Sequence, residues 1–374
     1  MALSKTKPKT KPEKDEDENQ EGDQIELILA EKAYKGLHYG CRGGEGIVKP
    51  DIIDTGSYLF NEVIGGGYRS GWSRWYSEPE QGKSSQGLLW GANWQKHWKE
   101  KGENPFVVIY NAEGRTTSDL ITRSKIDTSI DSFRIIDTNS ADMIYDVTER
   151  LIVNNPENRM YYFMLDSTDA CQRSVDIGKT FAEPDKIAGS ASVISAAGKR
   201  LSLLFSLHRH HLYMCSQIRD KMTTGPNGGG KAPSGGWAAK FYSSLTGKIE
   251  KNWSDFTIYE DPADKKSKEI GRLAQIKLEK TYNETTGRVV LVPIRYGHGI
   301  WKEYEAMMIC QAWQFIKDLG KGRFELTEQF AQELTEAKVA FEPKFHGIKA
   351  MRNYFDATPE LVEYVFNKMK LIEH

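Results

Sequence analysis

The residues whose types and spacing suit chemistry are a Gly-Lys-Ser, two carboxylates and a glutamine. The run Ser77-Glu78-Pro79-Glu80-Gln81-Gly82-Lys83-Ser84-Ser85 ends as a phosphate-binding loop ends. In such a loop backbone N–H groups wrap the phosphates, the lysine reaches the terminal phosphates and the serine hydroxyl holds Mg²⁺. The usual pattern has a glycine five residues before the second glycine. Here Ser77 takes that place, or Glu78 does if the loop is one residue shorter. Residues Glu78 through Ser85 are the expected ATP-binding stretch. Glu113, Asp166 and Gln217 each follow an apolar run. As a set, Lys83 would hold phosphates, Ser84 and Asp166 would hold Mg²⁺ directly or through water, and Glu113 would orient an attacking water. Gln217 would sense the γ-phosphate. Each has an ordinary alternative: a solvated turn at the loop, a helix N-cap at Asp166, a solvated carboxylate at Glu113, a strand-end hydrogen bond at Gln217.

The elements that must position these residues follow from periodicity. Trp72–Tyr76 is strand-like, and Ser84–Trp98 carries Leu88, Gly91, Trp94 and Trp98 at helical spacing. Strand, tight loop and helix N-terminus together make an anion site. Ile53–Ser57 reads as a turn, Tyr58–Ile64 as a short helix and Gly65–Gly67 as its stop. Further short strands are expected at Phe106–Tyr110, Ser132–Asp137, Met160–Leu165 and Leu212–Cys215. Helices are expected at Ser140–Ile152, with Met143, Val147 and Leu151 on one face, and at Ser190–Leu207. Buried runs alternating with helices predict an α/β fold with a mostly parallel central sheet flanked by helices, whose ligands bind at the carboxyl ends of the strands.

The 51 Lys+Arg against 52 Asp+Glu leave a formal charge of -1, so any basic surface must be local. The cysteines Cys41, Cys171, Cys215 and Cys310 are far apart, without a Cys-x-x-Cys pair. That pattern points to a reducing compartment, not to a disulfide frame or zinc site. No apolar run approaches 18 residues and no leader pattern opens the chain, so a cytoplasmic protein without a membrane span is expected. Residues 1–23 read as a disordered charged tail. Residues 24–50 read as an N-terminal arm, with a short amphipathic helix over Gln24–Leu37 that packs on its own domain or on a neighbouring subunit. Trp301–Asp318 is expected to be helical, with Met308, Ala312, Phe315 and Ile316 inward. Leu326, Phe330 and Leu334 step by four, and Thr358-Pro359 opens a last helix with Leu361, Val365, Met369 and Ile372 inward. Residues 301–374 would thus be a small helical lobe. Lys338, Lys344, Lys349 and Arg352 form either a solvated face or a basic patch for duplex DNA.

Two loops follow the Asp166 and Gln217 strands. They span Ile177–Gly189 and residues 217–236, the latter containing the glycine-rich run Arg219–Gly236. A long glycine-rich loop inside a compact domain is a flexible insertion or a functional one. Glycines admit phosphates to backbone N–H groups, and Arg219, Lys221, Lys231 and the following Lys240 would neutralise them.

These residues carry a resemblance. Ser216-Gln217-Ile218-Arg219-x-Lys221, the glycine-rich stretch and Gly235-Gly236-x-Ala238-x-Lys240-Phe241-Tyr242 resemble the second DNA-binding loop of the RecA recombinases, including their UvsX-type phage branch. Asp54–Ser57, Glu78–Ser84, Ala112-Glu113, Leu165-Asp166-Ser167 and Tyr296–Ile300 resemble that family's core motifs in the same order, over about residues 25–300. The resemblance implies a RecA-type ATPase core over residues 51–300. It implies Glu113 as catalytic carboxylate and Gln217 as the coupler of the γ-phosphate to the DNA loop. Lys280 would reach a neighbouring subunit's ATP. Ile187 and Met222 would wedge between bases, Lys199 would contact DNA, and Gly235 and Gly236 would offer N–H groups to phosphates. The implied cofactors are ATP and Mg²⁺. The implied partners are single-stranded DNA, a homologous duplex, further copies of the chain in a helical filament, and single-strand-binding and loader proteins. Tyr282 stands where the family has a second trans-acting lysine, and no acid and aromatic after Glu113 match those flanking the adenine. These departures bear on hydrolysis. A RecA-fold helicase, a single-strand-coating protein with a degenerate ATP site and a small-molecule kinase remain as other expectations.

Overall fold

The computed structural model describes residues 50–180, 189–220, 231–233, 236–250 and 253–372, together with residue 28. The expected tail and nearly all of the arm lie outside the described residues, as do Ile187, Lys221, Met222 and Gly235. Asp51–His374 forms one compact unit.

In chain order, α1 (Tyr58–Val63) precedes β1 (Gly71–Ser77), α2 (Lys83–Glu100), β2 (Asn104–Asn111), α3 (Ser118–Ser124), β3 (Phe133–Ile136), α4 (Ala141–Val153) and β4 (Arg159–Asp166). Then come α5 (Gly189–Leu207), β5 (His211–Asp220), β6 (Lys231–Pro233), α6 (Gly236–Tyr242), β7 (Leu245–Ile249), β8 (Thr257–Tyr259), β9 (Glu269–Lys280), β10 (Val289–Arg295) and β11 (Gly299–Ile300). These strands form one sheet in the order β11-β10-β9-β7-β1-β5-β4-β2-β3, with β6 paired to β5 and β8 to β9. From β7 to β3 every pair is parallel. The flank of β8, β9, β10 and β11 pairs antiparallel.

The apolar runs occupy the middle of this sheet because both faces there are covered. Successive side chains alternate between faces. Trp75, Ile109, Met164 and Tyr213 therefore pack with Trp90, Trp94 and Trp98 of α2. Trp72, Val108, Phe163 and Met214 pack with Ile144 of α4 and with Leu201 and Phe205 of α5. Helix α2 approaches the sheet closely through Gly87: a Cβ there would lie 2.7 Å from the Tyr213 ring.

Three expectations require correction. In α4 the buried residues are Ala141, Ile144, Tyr145, Thr148 and Ile152, while Met143 is exposed. The inward stripe is centred one position further along than Met143, Val147 and Leu151 suggested. The expected Trp301–Asp318 helix stops early, as α7 (Lys302–Ala312). Gln314 adopts a left-handed φ of 57° and Phe315 N–H donates back to Cys310 O at 2.9 Å, a helix-closing bond. Ile316 then lies in a strand, and Leu326 ends a strand instead of sharing a helix with Phe330.

The C-terminal lobe is therefore mixed. After α7 come β12 (Ile316–Asp318), β13 (Arg323–Leu326), α8 (Glu328–Glu336), β14 (Lys344–His346), α9 (Ile348–Ala357) and α10 (Pro359–Ile372), with β12, β13 and β14 in a small antiparallel sheet. Leu361, Val365 and Met369 of α10 do point inward. Of the four basic residues noted, Arg352 is buried and donates to Tyr259 O and Glu260 O, both at 2.8 Å, and Lys344 pairs with Glu325 at 3.1 Å. They do not share one free face.

Candidate functional site

At the carboxyl end of β1 the chain turns through residues 78–82 into α2. Glu80 and Gly82 adopt left-handed φ values of 60° and 87°, and Gly82 caps the helix. A left-handed cap suits glycine because it has no Cβ to clash. It leaves the first N–H groups of α2 without helical partners, which is what an anion needs. The Lys83 ammonium folds along its own loop, donating to Ser77 Oγ at 2.7 Å, Glu78 O at 3.1 Å and Ser77 O at 3.3 Å. Burial lowers its pKa, opposed by the charges of Asp166 and Glu113 among others. Of the remaining loop residues, Pro79, Glu80 and Ser85 are exposed, while Glu78 and Gln81 are half-buried.

Asp166 ends β4 beside this loop and is buried. Burial raises its pKa, offset by hydrogen bonds from Ser84 and Cys215. A serine hydroxyl already in contact with a buried carboxylate, with Glu113 close enough to perturb it, fits a Mg²⁺ site. Among the described residues no group of three or more His, Cys, Asp or Glu could hold a metal ion. A magnesium site built partly on substrate phosphates requires no such group.

Glu113 follows β2, and its N–H donates to Asp166 O at 3.1 Å, stitching the two strand ends together. Its Oε1 accepts from Ser167 Oγ and, at 3.0 Å, from Gln217 Nε2. Its Oε2 lies 3.7 Å from Arg115 Nη1. Gln217, on β5, is held through its own N–H by Asp169 Oδ2 at 2.7 Å. Lys83, Ser84, Glu113, Asp166 and Gln217 are thus brought together around the ends of β1, β2, β4 and β5.

The other expected residues lie apart from this cluster. Lys280, on β9, donates to Phe241 O at 2.8 Å and makes no contact with the cluster among the described residues. Lys240, on α6, lies 3.3 Å from Glu279, which also accepts from Tyr76 OH. Lys199 is exposed on α5. Arg219 and Lys231 face Ala232 and Asp220 across the antiparallel β5–β6 ribbon, and Gly236 opens α6.

Three residues in this neighbourhood escaped the sequence reading. Asp169 holds Gln217, as Ser167 of the expected Asp166-Ser167 strand end holds Glu113, and the run Asp166-Ser167-Thr168-Asp169 was a visible signal for it. Arg74 is buried on β1 with its Nε 3.4 Å from Ser216 Oγ. Arg272, on β9, grips Gln81 of the loop between β1 and α2. Nothing in the sequence marks either arginine.

A cavity of about 630 Å³ in the C-terminal lobe, lined by Trp313, Phe315 and Phe330 among others, lies away from these strand ends. Among the described residues no helix is long and apolar enough to cross a membrane. No protein-family model matches the chain, and no curated protein matches it.

Proposed function

We propose that this protein is an ATP-dependent DNA strand-exchange recombinase of the RecA type. In this proposal it polymerises on single-stranded DNA and presents the strand to a homologous duplex. The observation that carries it is the Gln217–Glu113 hydrogen bond at 3.0 Å, set on the strand that runs on into the β5–β6 ribbon. A nucleotide would lie on the N–H groups at the start of α2, with Lys83 transferring its ammonium from Ser77 and Glu78 to the phosphates. Mg²⁺, held by Ser84 and Asp166, would supply positive charge against the phosphate oxygens. Glu113 would accept a hydrogen bond from the attacking water. A γ-phosphate would compete with Glu113 for the Gln217 amide. Because Gln217 is part of β5, its choice of partner would bias the ribbon and the glycine-rich segment that carry Arg219, Lys221 and Lys231. Base pairing, not side chains, would then select the partner sequence.

The test is joint-molecule formation between single-stranded DNA and a homologous duplex, with purified protein, ATP and Mg²⁺. Pairing that requires both homology and ATP is the expected result. Intact DNA binding without pairing would remove the recombinase assignment. A second reading, a single-strand-coating protein with a degenerate ATP site, is favoured by Ser77 at the usual glycine position and by the loop carboxylates Glu78 and Glu80. It requires any ATP turnover to be unchanged by Lys83→Ala.

A further inference from the structure

We infer that Arg272 is a positioning residue for the phosphate loop. It fixes the Gln81–Gly82 peptide so that the Gly82 N–H is presented to a nucleotide phosphate, and this rests on the nucleotide site proposed above. Arg272 stands on β9, opposite Ile294 of β10 and Thr257 of β8, in the antiparallel flank. Its guanidinium reaches the loop with two bonds to one residue. Nη1 donates to Gln81 Oε1 at 2.6 Å, and Nη2 donates to Gln81 O at 2.7 Å. The two partners are 191 residues apart in sequence. The side chain is buried, so these bonds form where water competes little.

The consequence follows from peptide geometry. The peptide after Gln81 is trans, and in a planar trans peptide the C=O and the following N–H point in opposite directions. Holding Gln81 O toward β9 therefore turns the Gly82 N–H away from β9. Gly82 can follow because its φ of 87° carries no Cβ penalty, and a Cβ at Gly82 would lie 3.7 Å from Arg272 Nη2. The guanidinium thus backs the loop at the residue just before Lys83. The planar fork matters here, because a lysine ammonium can reach these acceptors only as a point charge. A loop with Ser77 in place of the usual glycine has less intrinsic reason to adopt the phosphate-binding curvature, and an external clamp on Gln81 supplies it.

The experiment compares full-length wild type with Arg272→Met, which keeps the aliphatic stem, Arg272→Lys and Gln81→Ala. Nucleotide affinity is measured with a fluorescent ATP analogue plus Mg²⁺ well below each melting temperature. Amide exchange of residues 78–85 is followed without nucleotide. Arg272→Met should raise Kd about tenfold and speed loop exchange, the order expected when two charge-assisted bonds are lost. Arg272→Lys should recover part of this. Gln81→Ala, which keeps the carbonyl, should cost about threefold or less, as for one side-chain bond. If Arg272→Met fails to fold, Arg272→Lys decides: wild-type affinity and loop exchange overturn the inference, and an intermediate loss of both supports it. Wild-type binding with undiminished affinity in Arg272→Met overturns the positioning role alone. Weaker binding without faster loop exchange also overturns it. A wild type that binds no nucleotide overturns both this inference and the proposed function.

Discussion

Glu113 and Gln217 lie 104 residues apart in the chain yet share a hydrogen bond. The amide places its Nε2 toward the carboxylate because an ionised carboxylate only accepts. Under the proposed function, this contact would make Gln217 the residue at which nucleotide and DNA affinities are coupled. Gln217→Ala removes the amide while leaving Lys83, Ser84 and Asp166 in place. The expected result is nucleotide affinity within about threefold of wild type, since no direct loop contact is lost. The enhancement of single-stranded DNA affinity by ATP, read by fluorescence anisotropy with and without nucleotide, should collapse toward unity. Coupling that survives in the variant would place the link elsewhere; by reciprocity, its loss should equally abolish the enhancement of nucleotide affinity by DNA.

At the scale of elements, β5 begins at His211, directly after His210, and both are buried. The His211 ring lies 2.8 Å from Ser73 Oγ and 2.7 Å from Arg69 O, and His210 Nδ1 accepts from Tyr161 N–H at 3.1 Å. Burial pulls both down to about 3. Between that value and the ordinary 6.5 of an unfolded histidine, the unfolded chain binds protons that the folded one does not, so stability falls as the solution is acidified. The loss begins near pH 6.5 and amounts to about 2 kcal/mol per histidine at pH 5. Chemical denaturation from pH 8 to 5 should show it, and His211→Gln should remove about half of that slope. A slope unchanged by the substitution would mean that His211 is not held neutral. The parallel strands were legible in the sequence because burial on both faces makes them continuous apolar runs. The antiparallel flank was not. Strand β9 alternates buried Ala274, Ile276 and Leu278 with half-buried Gln275, exposed Lys277 and half-buried Glu279, a period-two signal that a search for continuous apolar runs passes over. Strands β8 and β11 are too short to carry any period.

For the molecule as a whole, a buried carboxylate on α7 joins the C-terminal lobe to the sheet-bearing part, beside the bonds of Arg352 to Tyr259 O and Glu260 O. Glu305 of α7 is fully buried and accepts from Ser57 Oγ at 2.5 Å, Tyr58 N–H at 3.0 Å and Leu59 N–H at 3.2 Å. It thereby supplies acceptors for the first turn of α1, which has no acidic residue there. Burial raises its pKa, with these hydrogen bonds opposing the rise. Glu305→Ala leaves several donors unpaired in a dry site and should cost about 3 kcal/mol. Amide exchange in residues 302–372 should then rise ahead of global unfolding, as a sub-global opening. Exchange in the lobe that stays matched to the central strands would show that the apolar contacts of α7 suffice.

The amino-acid sequence settled what local chemistry settles. Gly82-Lys83-Ser84 needs a turn before a helix, apolar runs need two covered faces, and each run ends where its polar residue begins. It did not settle which ends meet. Glu113 touches Gln217 because β4 is the strand between β2 and β5, and Arg272 reaches Gln81 because the antiparallel flank lies against β1 through β7. Strand order is decided by how all the buried faces pack at once, a property of no short segment, so only the tertiary structure fixes it.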